Sequence, residues 1–247
     1  MLKIQETLPG IKYLTVQSNK QKENDKNNFA NDLCDFIQNS QELVRVSLVM
    51  NEFKDDEVFR LMETSIFHQR IQILQIAEVN EKENMLDPQA HGTEAELEYL
   101  EAANIEIGAD IKHFGRIFMQ NNSLRRLEIR YSPLPLPLIL VLFQNIRANK
   151  ALRELVLTDG SLEKAIPCCY EVLKESLGYN STLQSIDFSA NHQLEYSFSS
   201  HQHLLQALPK HRSLRKLKVG CKDEAARELY QKFKGKVQLR VNNRRIN

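Results

Sequence analysis

Four stretches decide how this chain folds: Leu124-Arg125-Arg126-Leu127-Glu128-Ile129, Leu152-Arg153-Glu154-Leu155-Val156-Leu157, Leu183-Gln184-Ser185-Ile186-Asp187-Phe188 and Leu214-Arg215-Lys216-Leu217-Lys218-Val219. Each reads apolar-x-x-apolar-x-apolar, and the third continues to Asn191. The template recurs upstream at Ile11 to Val16 (leading to Asn19), Leu43 to Leu48 (leading to Asn51) and Ile71 to Ile76. Leu97 to Ala102 is its weakest copy, and Leu239-Arg240-Val241 is a terminal half-copy. The copies start at 11, 43, 71, 97, 124, 152, 183 and 214, at a mean interval of 29 residues. One such triplet arises easily by chance. Eight in near-regular phase are the mark of a repeat architecture.

The pattern resembles leucine-rich repeats. The period and the lead-in from Asn121 to Leu127 and from Asn180 to Ile186 are similar to the long, ribonuclease-inhibitor-type subclass, over roughly residues 8 to 243. The resemblance implies an α/β fold: a horseshoe solenoid with a parallel sheet on its concave face and helices on its convex face. It also implies a cytoplasmic protein-binding module, of a kind found in the eukaryotic cytosol and among effectors that intracellular bacteria inject into hosts. The chain departs from the subclass where the asparagine after the strand is replaced, near Ser132, Gly160 and Lys222. The expected organisation is a single domain over 1–247, with an N-terminal cap at 1–10 and a helix, a strand and a basic tail at 222–247.

The physics of the triplet points the same way. Alternation in its last three positions places two apolar residues on one side of a short strand. One strand-plus-helix unit is too small to bury its apolar face, so it needs neighbours on both sides. The strand-following asparagine is expected to satisfy backbone groups where the chain turns. Apolar stripes at helical spacing follow the triplets: Phe29, Leu33, Phe36 and Ile37; Val58, Leu61, Met62 and Ile66; Ile111, Phe114, Ile117 and Phe118; Ile166, Cys169, Leu173 and Leu177; and Ala226, Leu229, Tyr230 and Phe233. Leu204, Leu205 and Leu208 predict a shorter helix ending near Pro209. Pro133, Pro135 and Pro137 delay the intervening helix to about 138–148. Residues 81 to 96, charged and interrupted by Pro88 and Gly92, read as an irregular excursion.

Composition narrows the function. The 247 residues carry 33 Lys+Arg against 32 Asp+Glu, a net charge of +1, which argues against a globally basic nucleic-acid binder. The longest apolar run, Leu138 to Phe143, falls far short of the ~20 residues a spanning helix needs. Met1 to Glu6 has no signal-peptide character. Cys34, Cys168, Cys169 and Cys221 match neither a disulfide framework nor a zinc site, and the neighbours Cys168 and Cys169 read as helix residues, one buried and one half-exposed. No phosphate-binding glycine loop, HExxH helix or nucleophile elbow occurs. His201 and His203 lack further ligands at a metal-binding spacing. The expectation is a non-enzymatic monomer without cofactor, metal or small-molecule substrate.

In this architecture the outward strand positions, the third, fifth and seventh of each copy, line the working face. They predict a protein-binding patch of Val49, Ile73, Tyr99, Glu101, Arg126, Glu128, Arg130, Tyr131 and Glu154. Aromatic residues and arginine dominate interface hot spots. The rival structural reading is that Glu128, Arg126 and Arg130 merely pair at the surface. An alternative function is binding of anionic surfaces, a phosphoinositide or RNA, through Lys216, Lys218, Arg240, Arg244 and Arg245 at the basic C-terminal end. Gln238 and Arg240 are expected at the third and fifth positions of the last copy.

Overall fold

The apolar triplets become strands. A computed structural model describes residues 11–18, 26–50, 55–78, 109–131, 134–209, 211, 213–222, 224–233 and 237–240. The strands are β1 (Tyr13–Ser18), β2 (Arg45–Met50), β3 (Ile73–Glu78), β4 (Arg126–Arg130), β5 (Glu154–Thr158), β6 (Ser185–Phe188), β7 (Lys216–Gly220) and β8 (Val237–Arg240). They form one sheet in sequential order, with every pairing parallel. The helices are α1 (Lys26–Asn39), α2 (Asp55–Phe67), α3 (Ala109–Gln120), α4 (Leu136–Ile146), α5 (Pro167–Tyr179), α6 (His192–Tyr196), α7 (Phe198–Ala207) and α8 (Glu224–Gln231). Helices α1 to α4 each pack on the next, α5 packs on α7, and α7 on α8. Parallel neighbours joined by helical crossovers, each unit stacked on the last, make a leucine-rich-repeat solenoid.

The core lies between the sheet and the helices. From β2 to β7 the first, fourth and sixth residues of every triplet are buried, as in Leu43, Val46 and Leu48 or Leu214, Leu217 and Val219. Each such side chain contributes about 1.5–3 kcal/mol by leaving water. Ile11, Leu14 and Val16 of the edge strand are only partly covered. The helix stripes close the other side: Leu33 and Ile37, Leu61, Met62 and Ile66, Phe114 and Phe118, and Leu173 and Leu177 are all buried. Cys168 is half-buried and Cys169 buried, on α5.

Two expectations need correction. The sheet passes directly from β3 to β4, with Ile73 opposite Arg126, and the copy at 97, with Tyr99 and Glu101, lies outside the described residues, as does the 81–96 excursion. In the last copy Gln238 lies opposite Lys218 and Arg240 opposite Gly220, two residues (one outward lane) further along than expected. Finally, α4 begins two residues early, with Pro135 as its N-cap and Pro137 in its first turn. A proline there has no N–H to lose, because first-turn donors are unpaired anyway.

The turns into β4 to β7 are held by a side-chain ladder at the position three residues before each of their triplets. Asn121, Asn149 and Asn180 donate through Nδ2 to Ile66 O (2.6 Å), Phe118 O (2.6 Å) and Ile146 O (2.6 Å), carbonyls of the preceding unit. Their Oδ1 atoms accept the N–H of Leu124 (2.7 Å), Leu152 (2.8 Å) and Leu183 (2.8 Å). His211 fills the same place, its Nδ1 accepting Leu214 N–H at 2.9 Å. The role expected of an asparagine after the strand appears at Asn191, which donates to Leu157 O (2.8 Å) and Phe188 O (2.9 Å) and accepts from Leu162 N–H (2.9 Å). One unit earlier Ser161 serves similarly, donating to Ile129 O and Thr158 O. The residue seven after each triplet start, Tyr131, Asp159 and Ala190, is left-handed in three successive units, with φ of 55°, 57° and 60°.

Close approach is required at Gly115 on α3. A Cβ there would lie 2.7 Å from Val141 Cγ1 and 2.8 Å from Asn145 Nδ2 of α4. Tyr170 is fully buried against Phe143 and Phe188, and its hydroxyl has no hydrogen-bond partner among the described residues. Burial pushes its phenol well above the usual range. An unpaired buried hydroxyl costs about 1 kcal/mol or more. Tyr170→Phe is therefore expected to raise the urea-unfolding free energy by about 1 kcal/mol at unchanged m-value.

Candidate protein-interaction face

The outward lanes run straight across the sheet. The third lane is Tyr13, Arg45, Ile73, Arg126, Glu154, Ser185 and Lys216. The fifth is Thr15, Ser47, Gln75, Glu128, Val156, Asp187 and Lys218. Neighbouring strands stand ~4.8 Å apart, so long side chains in adjacent lanes meet.

They meet most densely around Glu128. Arg45 Nη2 donates to Gln75 Oε1 at 2.6 Å, and Gln75 Nε2 donates to Glu128 Oε2 at 2.7 Å. Arg126 clamps the same oxygen through Nε (3.0 Å) and Nη2 (2.7 Å), and its Nη1 donates to Glu154 on the next strand. Arg130 Nε reaches Glu128 Oε1 at 2.5 Å. Glu128 is the hub of a network spanning β2 to β5, with its side chain 7% exposed under arginines 33% and 42% exposed. Burial pushes its carboxyl up, but the Gln75 amide and the two guanidiniums outweigh that and hold it below its ordinary value. Burial likewise pulls Arg126 down, and Glu128 and Glu154 more than restore it, leaving it above its ordinary value.

The expected patch is thus brought together in part. Val49 and Ile73 are half-buried, Glu128 is buried, and Arg126, Arg130 and Glu154 are partly exposed. Tyr131 is exposed and held in the left-handed turn. The arginines fold over Glu128 instead of standing into solvent, so much of the charge here builds the surface itself. Arg45 and Gln75 are outward lane residues by alternation but lie outside the expected patch, because their place in the network depends on strand register. Beside them lies a depression of about 620 Å³ lined by Arg45, Ile73, Gln75, Arg126 and Glu154. Arg125, Arg153 and Gln184, at the mouth of β4 to β6, complete its wall.

At the basic end, Lys218 Nζ bonds Asp187 Oδ2 at 2.8 Å. Burial pushes Asp187 up, yet Lys218 and two bonds from Ser189 bring it below its ordinary value. One lysine of the anionic-surface set is therefore already engaged. Lys216 is half-buried, the side chain of Arg240 is not described, and Arg244 and Arg245 lie outside the described residues. His201 Nδ1 lies 3.0 Å from Tyr230 Oη, joining α7 to α8. No cluster of metal-ligating side chains occurs among the described residues, and no described helix is long and apolar enough to cross a membrane.

No family model and no curated protein matches the sequence. Among solved structures, the chain is similar to the Caenorhabditis elegans tropomodulin C-terminal domain: 12% identity, TM-score 0.46, covering 74% of this chain and 93% of that one. It is also similar to a leiomodin-1 chain described as actin-binding site 2: 14% identity, TM-score 0.41, covering 49% of this chain and 68% of that one.

Proposed function

We propose that the chain is a non-enzymatic interaction module that binds a partner protein on the open face of its sheet. The observation that supports this most is the cross-strand network on Glu128, which holds Arg126 and Arg130 in one arrangement beside half-buried Val49 and Ile73 and exposed Tyr131. A surface already ordered loses little conformational entropy on binding. Guanidiniums and aromatic rings around a small apolar centre are the composition of an interface hot spot. Tyr99 and Glu101 belong to this proposal on sequence grounds alone.

The test is affinity capture from a native lysate followed by Arg130→Glu and Tyr131→Ala. Each variant is expected to weaken the captured partner by about tenfold or more, as loss of a hot spot does. Undiminished capture by both would reject the face. Tyr99→Ala in the same assay tests whether that residue takes part.

A further inference from the structure

The depression at the mouth of β2 to β6 carries an excess of positive charge. Four guanidiniums, those of Arg45, Arg125, Arg126 and Arg153, border it against one lining carboxylate, Glu154. Arg126 is already matched by Glu128 and Glu154. The other three are not paired with any acid among the described residues. Arg125 and Arg153 each use Nη1 on a backbone carbonyl of the next unit, Ala151 O at 2.9 Å and Thr182 O at 3.0 Å. Arg45 uses Nη2 on Gln75. These bonds steady three planar forks and leave each with further N–H donors, the arrangement that suits carboxylates or phosphates.

Resting on the protein-binding reading above, we propose that this depression seats an acidic segment of the partner, with Asp or Glu carboxylates against Arg45, Arg125 and Arg153. The lining favours a polypeptide over a phosphate polymer. Glu154, with its side chain 42% exposed, repels a continuous run of phosphates. Ile73, Gln75 and Gln184 supply apolar and amide contacts for the neutral residues between the acids. Arg125 and Arg153 immediately precede β4 and β5, whose first residues Arg126 and Glu154 are in register, and strands so paired run about 4.8 Å apart, which suits one acidic side chain or two neighbours.

The experiment is fluorescence anisotropy on the full chain. The probes are a labelled peptide alternating Glu with Gly, its Gln-for-Glu analogue, and single-stranded poly-uridylate. The Glu peptide is expected to bind at least about tenfold more tightly than the Gln analogue, and to weaken as salt screens the charges. Arg45→Gln combined with Arg153→Gln is expected to weaken the Glu peptide by about tenfold. Arg45→Gln alone, which disturbs no backbone contact, is expected to fall between, so that loss of fold in the double variant is recognised. Equal binding of the two peptides, indifference to Arg45→Gln, or tighter binding of poly-uridylate through the same arginines would overturn the proposal. If the lysate partner is lost with Arg130→Glu but kept by Arg45→Gln with Arg153→Gln, this inference alone fails. If no variant affects capture, the protein-binding face fails with it.

Discussion

Asn180→Ala should lower the unfolding free energy by about 3 kcal/mol, far more than a polar substitution near the surface usually does. Asn180 is buried, and its amide touches four backbone groups. It donates to Ile146 O at 2.6 Å and Asn149 O at 3.0 Å, and accepts from Thr182 N–H at 2.9 Å and Leu183 N–H at 2.8 Å. Truncation leaves those groups without their partner where water enters poorly, and each lost buried bond costs about 1 kcal/mol. The bonds also join successive units, so cooperativity between repeats should drop along with stability. Urea unfolding measures both, through the midpoint and the m-value. Asn180→Asp is expected to be no better, because a second oxygen would face the carbonyls of Ile146 and Asn149. A loss below about 1 kcal/mol for Asn180→Ala would mean that the ladder adds little to the stacking of the apolar triplets.

Glu128→Gln should cost about 2 kcal/mol at neutral pH, and that cost should fade in acid. Bonds to a charged partner are worth about 1.5–3 kcal/mol, and the solvent exposure of Arg126 and Arg130 trims the total. The sign with pH follows from the depressed carboxyl of Glu128. Its contribution is fully present above the unfolded glutamate pKa of about 4.3, and is lost as pH falls through the lower folded value. Glutamine mimics the protonated acid, so the two stability curves should begin to converge as pH falls past the unfolded value and meet only below the lower folded one. Parallel curves down to acid would show that the network does not stabilise the ionised form. Asp187, also depressed and bonded to Lys218, adds acid sensitivity of the same sign to both proteins.

Asn180 and Glu128 differ in how much of their role the sequence reveals. Asn180 was visible as part of the lead-in to a triplet, but the role expected of asparagine was placed after the strand. Lead-in and turn are both polar and close in sequence, and only the stacked units reveal which carbonyl faces which amide. Glu128 was visible as an outward residue flanked by arginines. Outwardness in a strand is a matter of alternation, whereas burial depends on what the neighbours do. Arg126 and Arg130 from its own strand and Gln75 from neighbouring β3 close over Glu128, and so a residue on the solvent side of the sheet is nearly covered.

By itself the sequence determined the local and periodic part of this protein. Apolar triplets at a mean spacing of 29 residues, with helical stripes between them, force strand-plus-helix units that must stack to leave water. The tertiary structure alone decided which strands are neighbours. The direct pairing of β3 with β4 sets Ile73 and Gln75 beside Arg126 and Glu128 across 53 residues of chain. That pairing creates the charged network and the arginine-lined depression. Periodicity is carried by each segment's own pattern of burial, but adjacency across a long connection is set by competition among whole strands for the same sheet edge, and no single segment encodes its outcome.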